Sequence, residues 1–304
     1  MPTQSGKGSS LGRIETIEAL DRPPEWLRAA LESRGLAGAD TGFAPLSGGR
    51  TNRLWRFRNA ANSLVCKLFT GADTPLFPND PKAEATALRH LHGCGIAPSL
   101  VASVDTAHGS ALVYEHVDGP VWAQDCNAVG ALLARLHEVA LPKGLRVIDQ
   151  GSEAILAQAE RMLDAADSAS ATALRSLKPR TVNPPPAQPV FLHGDVVAKN
   201  IIASPGGLRL IDWQCPAIGD PTEDLSVFLS PAMQHIYGGQ VLDTAQEADL
   251  LAGYGQEHHA RRYAALAPAY HWRMAAFCLW KQHQGDADYG DAFTLEIARL
   301  QPPA

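Results

Sequence analysis

Two acids and an amide stand at fixed spacing in the run Phe191-Leu192-His193-Gly194-Asp195-Val196-Val197-Ala198-Lys199-Asn200-Ile201-Ile202, which Leu210-Ile211-Asp212-Trp213 follows closely. The pattern restricts what this stretch can fold into. An extended apolar segment over 190–193 leads into a short loop. Two short β segments, 200–203 and 208–211, then pair across the turn Ser204-Pro205-Gly206-Gly207. Polar groups placed at the ends of such a hairpin are held at set distances. Phosphoryl transfer has that requirement: one carboxylate lies beside an attacking hydroxyl, while an amide oxygen and a second carboxylate hold magnesium against the developing phosphate charge. Catalysis of this kind is mainly positioning and electrostatics.

The rest of the chain divides by period. The spacing of Trp26, Leu27, Ala30 and Leu31 predicts a helix over 24–35. Strands are predicted over 43–46, 53–58 and 64–69, the first two separated by Ser47-Gly48-Gly49-Arg50. A helix over 81–92 begins at Pro81 and stops before Gly93 and Gly95, and two further strands cover 99–104 and 110–116. Beyond Gly119 the pattern turns helical, with helices over 125–139 and 152–177, then a break at Pro184-Pro185-Pro186 and Pro189. From Asp224 onward the chain reads as mostly helical. A length of 304 residues suits two lobes. The expected division is a disordered Gly/Ser-rich arm over 1–12, a nucleotide-binding N-terminal lobe over 13–116, and a C-terminal lobe over 117–304 that carries the catalytic loop and the acceptor site.

Composition removes several classes of function. A formal net charge of −6 argues against a nucleic-acid binder, which needs a basic excess to neutralise phosphates. Five scattered cysteines with no C-x-x-C pair indicate neither a disulfide framework nor a zinc site. No apolar run reaches the ~18 residues of a membrane span, and Met1 to Arg13 lacks the apolar core of a secretory signal. A cytoplasmic protein without membrane or nucleic-acid partners is expected.

The loop and hairpin resemble those of the kinase-like phosphotransferases that include aminoglycoside, choline/ethanolamine and thiamine kinases. Their pattern is H-G-D-x-x-x-x-N, then an apolar strand ending in I-D-[WF]. It is met here by His193, Gly194, Asp195, Asn200, Ile211, Asp212 and Trp213, and Gly219-Asp220-Pro221 with Asp224-Leu225 match its G-D-P-x-x-D-L tail. Val197-Ala198-Lys199 departs from the Pro-Gly pair common at that point. The resemblance extends from residue 45 to about 289 and implies an α+β, bilobal, protein-kinase-like fold, with a small antiparallel-sheet N-lobe and a mostly helical C-lobe. It implies ATP and Mg2+ as cofactors, Asp195 as the residue acting on the acceptor hydroxyl, and Asn200 and Asp212 as metal ligands. Lys67 on its strand and Glu84 on the following helix occupy the places of the phosphate-contacting lysine and its glutamate partner in kinase-like folds. Gly48, Gly49, Thr51 and Asn52 resemble the phosphate-covering loop of choline- and thiamine-kinase relatives. Glu115 and Val117 fall on the hinge strand, where main-chain groups would read adenine. His137, in an L-x-x-L-H pattern, is expected to be structural, and Lys199 a solvated loop residue.

The acceptor is read from weaker signals. Phe277 and Trp280, with Tyr289 beyond, resemble the late aromatic helix of choline/ethanolamine kinases, where rings surround an ammonium, and Trp272 and Trp213 are expected beside the substrate as well. A cationic amino alcohol is therefore expected, with thiamine, aminoglycosides and sugars as alternatives within the fold. Two rival classes are a non-catalytic nucleotide-binding module and a metal hydrolase built on residues such as His258-His259. Adjacent histidines point apart on a helix, which disfavours the latter.

Overall fold

The computed structural model describes residues 21–46, 51–60, 62–71, 73–166, 168–238 and 240–301. The expected arm over 1–12, and Gly48 and Gly49 in the expected phosphate loop, lie outside the described residues.

The N-terminal half is one antiparallel sheet of β1 (Phe43–Pro45), β2 (Arg53–Arg58), β3 (Ser63–Leu68), β4 (Leu100–Thr106) and β5 (Gly109–Glu115), in the order β1-β2-β3-β5-β4. Alternation sorts its two faces. Trp55, Phe57, Leu64, Cys66 and Leu68 pack under α1 (Glu25–Ser33), which buries Leu27 and Leu31 one helical turn apart. Val65, Leu112 and Tyr114 face the other way, into a core that continues through Leu133, Phe191 and Trp213. That shared core ties the sheet to the helical half. Between β3 and β4 lies α2 (Pro81–His90). Asp80 caps it by accepting from the Lys82 and Ala83 N–H groups, and Pro81 fills the first helical position where no N–H is needed.

The C-terminal half holds α3 (Cys126–His137), α4 (Ser152–Ala165), α5 (Ala169–Ser176), α6 (Thr222–Phe228), α7 (Pro231–Gly238), α8 (Thr244–Tyr254), α9 (Glu257–His283) and α10 (Tyr289–Leu300). Two small sheets are set among them. One joins β6 (Arg146–Val147), β10 (Ala217–Gly219) and β7 (Val190–Leu192), and the other is the hairpin of β8 (Ile201–Ser204) and β9 (Gly207–Leu210). The single helix expected over 152–177 is divided. Ser168 accepts from the Ala171 N–H and so starts α5 anew after α4 has ended. Among the described residues no helix is long and apolar enough to cross a membrane.

Helices α3 and α8 cross at reciprocal glycines. A Cβ at Gly130 would stand 2.1 Å from the Leu250 carbonyl oxygen, and one at Gly253 would stand 2.0 Å from that of Asn127. No rotamer change relieves a clash with backbone, so the helices themselves must part. Gly130→Ala is expected to destabilise by about 1–3 kcal/mol through overpacking, read as a lower urea midpoint at unchanged slope.

Candidate active site

The turn between β7 and the hairpin is locked from behind. Gly194 takes φ +83°, and a Cβ there would meet the Cys215 carbonyl oxygen at 2.2 Å, so only glycine fits. The buried Asp224 carboxylate accepts from the His193 N–H at 2.9 Å and the Gly194 N–H at 2.8 Å. His137 secures Asp224 in turn, with Nε2 at 3.2 Å and its Nδ1 at 2.8 Å from the Tyr254 hydroxyl. Burial opposes ionisation of Asp224, but His137, His193 and the Gly194 N–H outweigh it and lower its pKa. His193 is fully buried. Its Nδ1 accepts from the Asp195 N–H at 3.2 Å and its Nε2 lies 3.0 Å from the Ile211 carbonyl. These partners select the neutral tautomer protonated at Nε2, and burial lowers the ring pKa accordingly.

Asp195 follows at once, and Asn200 lies beside it on a 3-10 turn over Ala198–Asn200. The Asn200 Nδ2 donates to the Asp195 carbonyl at 3.0 Å and to its Oδ2 at 3.2 Å. Asp212, just past β9, takes φ +63°, a left-handed conformation uncommon outside glycine and asparagine. Its Oδ1 accepts from the Lys67 ammonium at 2.5 Å, and Lys67 also donates to Glu84 Oε2 at 2.5 Å. Lys67 therefore joins β3, α2 and the end of the hairpin. Burial works against its charge, but Asp212 and Glu84 more than compensate and raise its pKa. Burial pushes Glu84 up to about 7, with Lys67 pulling the other way. Asp195 is likewise pushed up to about 7, by burial first and then by the negative charge of Asp212.

Cavities open on both sides of this chain of charges. The larger, about 730 Å³, runs under the sheet past Leu54, Val65, Tyr114 and Val117 to Asn200 and Asp212. Glu115 and Lys199 also line it, with Lys199 exposed and Glu115 paired to Arg209. The Val117 N–H meets no acceptor among the described residues. The smaller cavity, about 260 Å³, has Asp195 in its wall together with Thr51, Phe77, Gln214, Phe277 and Tyr289.

Other expected residues fall elsewhere. Asn52 is buried, and its amide is consumed in a triad. Nδ2 donates to Asn79 Oδ1 at 2.8 Å and to Gln214 Oε1 at 3.0 Å, while Oδ1 accepts from the Asn79 amide at 3.0 Å. It thus fastens the sheet to the segment after Asp212. Trp213 and Trp272 are fully buried, donating to the Leu210 and Leu174 carbonyls, so both serve the core and neither reaches the smaller cavity. Trp280 stacks on Phe277 with ring centroids 6.0 Å apart and is not part of the smaller cavity's wall. Phe77 and Gln214 are wall residues that sequence reasoning missed. The signal for Phe77 was present: Leu76-Phe77 is an apolar pair inside a Pro- and Asp-rich loop, where exposure would be unfavourable.

A model of a phosphotransferase enzyme family matches residues 42–267. No curated protein matches the chain. Among solved structures, a choline/ethanolamine kinase family protein from Mesorhizobium loti aligns with a TM-score of 0.62 at 17% identity, over 92% of this chain and 95% of that one. An ethanolamine kinase from Plasmodium vivax aligns with a TM-score of 0.63 at 14% identity, over 90% and 86%. A thermostable mutant of aminoglycoside phosphotransferase APH(4)-Ia, in a ternary complex with AMP-PNP and hygromycin B, aligns with a TM-score of 0.62 at 14% identity, over 91% and 98%. At these identities the structures establish a shared bilobal, protein-kinase-like fold. The family match takes in both the sheet with Lys67 and the loop with Asp195, and by it the chain belongs to the phosphotransferase enzyme family.

Proposed function

We propose that the chain transfers the γ-phosphoryl group of ATP to the hydroxyl of a small amine-bearing alcohol, of the choline, ethanolamine or thiamine kind. The observation that carries this reading is the position of Asp195 in the wall of a cavity distinct from the larger one, with Asn200 and Asp212 on the larger one's lining. A nucleotide in the larger cavity would have its adenine beside the free Val117 N–H and its phosphates toward Lys67. The acceptor hydroxyl would lie against the Asp195 carboxylate, which takes its proton as the oxygen bonds to phosphorus and ADP leaves.

The donors present fit magnesium. They are hard oxygens, and Asn200 uses its amide hydrogens on Asp195, which leaves its Oδ1 to accept. Asp212 still has a second carboxylate oxygen beyond the one bound by Lys67. When bound, the ion would offset negative charge on the phosphates. Support for an amine comes from the rings of Phe77 and Phe277 in the wall of the smaller cavity.

The test is ADP release with ATP and Mg2+ against a panel of choline, ethanolamine, thiamine, an aminoglycoside and a hexose, with phosphorus NMR on each product. Transfer to an amino alcohol is expected. Transfer confined to the hexose would overturn the amine reading, and no transfer to any acceptor, with ATP bound, would favour a non-catalytic module.

A further inference from the structure

A third cavity, about 210 Å³, adjoins the catalytic turn: Gly194 forms part of its wall, and it shares Phe77 with the cavity that holds Asp195. Its lining brings together Arg146 from β6, Arg161 from α4 and Arg273 from α9, the last more than a hundred residues along the chain from the other two. The three guanidinium groups are not equivalent. Arg273 is buried and already committed. It grips Glu223 in a fork, at 3.1 and 2.6 Å, and donates to Gln158 at 2.8 Å. That pair cancels the carboxylate in the lining. Arg146 and Arg161 have no carboxylate within ion-pair distance among the described residues. The acids that flank Arg161 on α4, Glu160 and Asp164, are taken by Arg175 and Lys178. Among the described residues Arg146 donates to a neutral partner, the Cys215 carbonyl, at 3.2 Å. This is the carbonyl against which Gly194 packs, so Arg146 is coupled directly to the turn that presents Asp195.

Arg146 and Arg161 both keep an exposed side. Partial burial lowers the pKa of Arg146, with Cys215 and Glu223 opposing and the nearby Arg273 adding a smaller repulsion in the same direction as burial. A bound anion relieves that repulsion, and guanidinium groups suit carboxylate and phosphate oxygens because they donate in pairs. On the Asp195 side the charge is also less acidic than the residue types indicate. Lys281 pairs with Asp286 at 3.2 Å and lies over the Tyr289 ring at 5.3 Å, so an internal cation already faces both.

We propose that Arg146 and Arg161 form a subsite for an anionic group of the acceptor, which therefore carries a carboxylate or a phosphate in addition to the hydroxyl that meets Asp195. The inference rests on the phosphotransferase reading for the hydroxyl and adds the second end of the molecule. Together with an amine against Phe77 and Phe277, it describes a zwitterionic hydroxy compound.

The test compares ethanolamine, L-serine and glycerol 3-phosphate as acceptors at equal concentration with ATP and Mg2+, followed by phosphorus NMR. One of the two anionic acceptors is expected to exceed ethanolamine by about ten-fold or more in kcat/KM, and which of them does so distinguishes carboxylate from phosphate. Arg146→Ala and Arg161→Ala are each expected to raise the KM of that acceptor by about ten-fold, with the KM for ATP changed by less than about two-fold. A merely structural role would lower Tm and leave this KM unmoved. Ethanolamine used as well as the anionic acceptors, or arginine variants with unchanged KM, would overturn the subsite and leave the phosphotransferase reading intact. If none of the three is phosphorylated, calorimetric titration of the full chain with inorganic phosphate and with acetate decides. Binding lost in the Arg146→Ala/Arg161→Ala double variant supports the subsite even where the choice of acceptors failed. Binding that is absent, or that survives both substitutions, overturns it.

Discussion

Asp195→Asn is expected to lower kcat by about 10²–10⁴-fold while ATP binding persists, and to make the protein more stable above pH 7. The catalytic loss follows from position. Asp195 is in the wall of the smaller cavity, the proposed acceptor site, whereas the lining of the larger cavity contains Asn200 and Asp212 instead. Asparagine keeps the size of the side chain and an oxygen able to accept from Asn200, so the turn should survive. The gain in stability follows from linkage. Burial and Asp212 raise the carboxyl from its ordinary 3.8 to about 7 in the folded chain. Between those values the folded state binds more protons than the unfolded state, so stability falls as pH rises through the window and stays reduced above it. An amide removes that loss. The advantage of the variant should be absent below about pH 4, grow toward pH 7 and then level off, reaching at most about 4 kcal/mol, or about 6 °C in Tm. Thermal melts at pH 4, 6 and 8 without magnesium, beside single-turnover assays, measure both effects. Normal turnover would remove Asp195 from the chemistry. A Tm advantage that shrinks as pH rises would show that its charge is already compensated.

The second large effect concerns Lys67. Its side chain is inaccessible to solvent and so is that of Glu84, at 0% and 1% exposure. Removing one member of such a pair leaves a bare charge in a medium that solvates it poorly. Lys67→Ala should cost about 3–5 kcal/mol and abolish transfer, because Glu84 is then stranded and Asp212 loses its cation. Glu84→Gln should be milder, since Lys67 keeps its 2.5 Å contact with Asp212. The informative variant combines Lys67→Met with Glu84→Leu. It exchanges the pair for apolar side chains of similar volume and should regain most of the lost stability with no return of activity. Urea denaturation of the three variants, read beside kcat, separates the two roles. A double variant as unstable as Lys67→Ala would show that the loss comes from packing and not from a stranded charge.

Much of the site could be read from the chain because its parts are local. Asp195, Asn200 and Asp212 lie within a single turn-and-hairpin unit, so their spacing in sequence nearly sets their spacing in space. The face of β3 that carries Lys67 follows from period-two alternation, and the start of α2 from Pro81. The aromatic residues near the C-terminus were less legible. Helix α9 buries every residue over 272–279, Arg273 among them, so no periodicity marks the face that meets the cleft. Docking turned Trp272 inward to the Leu174 carbonyl and placed Phe277 in the cavity wall.

The sequence by itself thus determined the chemistry-bearing hairpin, the strand lysine with its glutamate, and the order of a small sheet followed by helices. Short-range periodicity, capping and turn residues act over a few positions, and each of these features is built over such distances. Tertiary packing alone decided that Asn52 would be claimed by Asn79 and Gln214, 27 and 162 positions away. Packing alone also gathered Arg146, Arg161 and Arg273 behind Gly194. Side chains from distant segments meet only when buried surfaces have chosen their partners, and no local spacing encodes that choice.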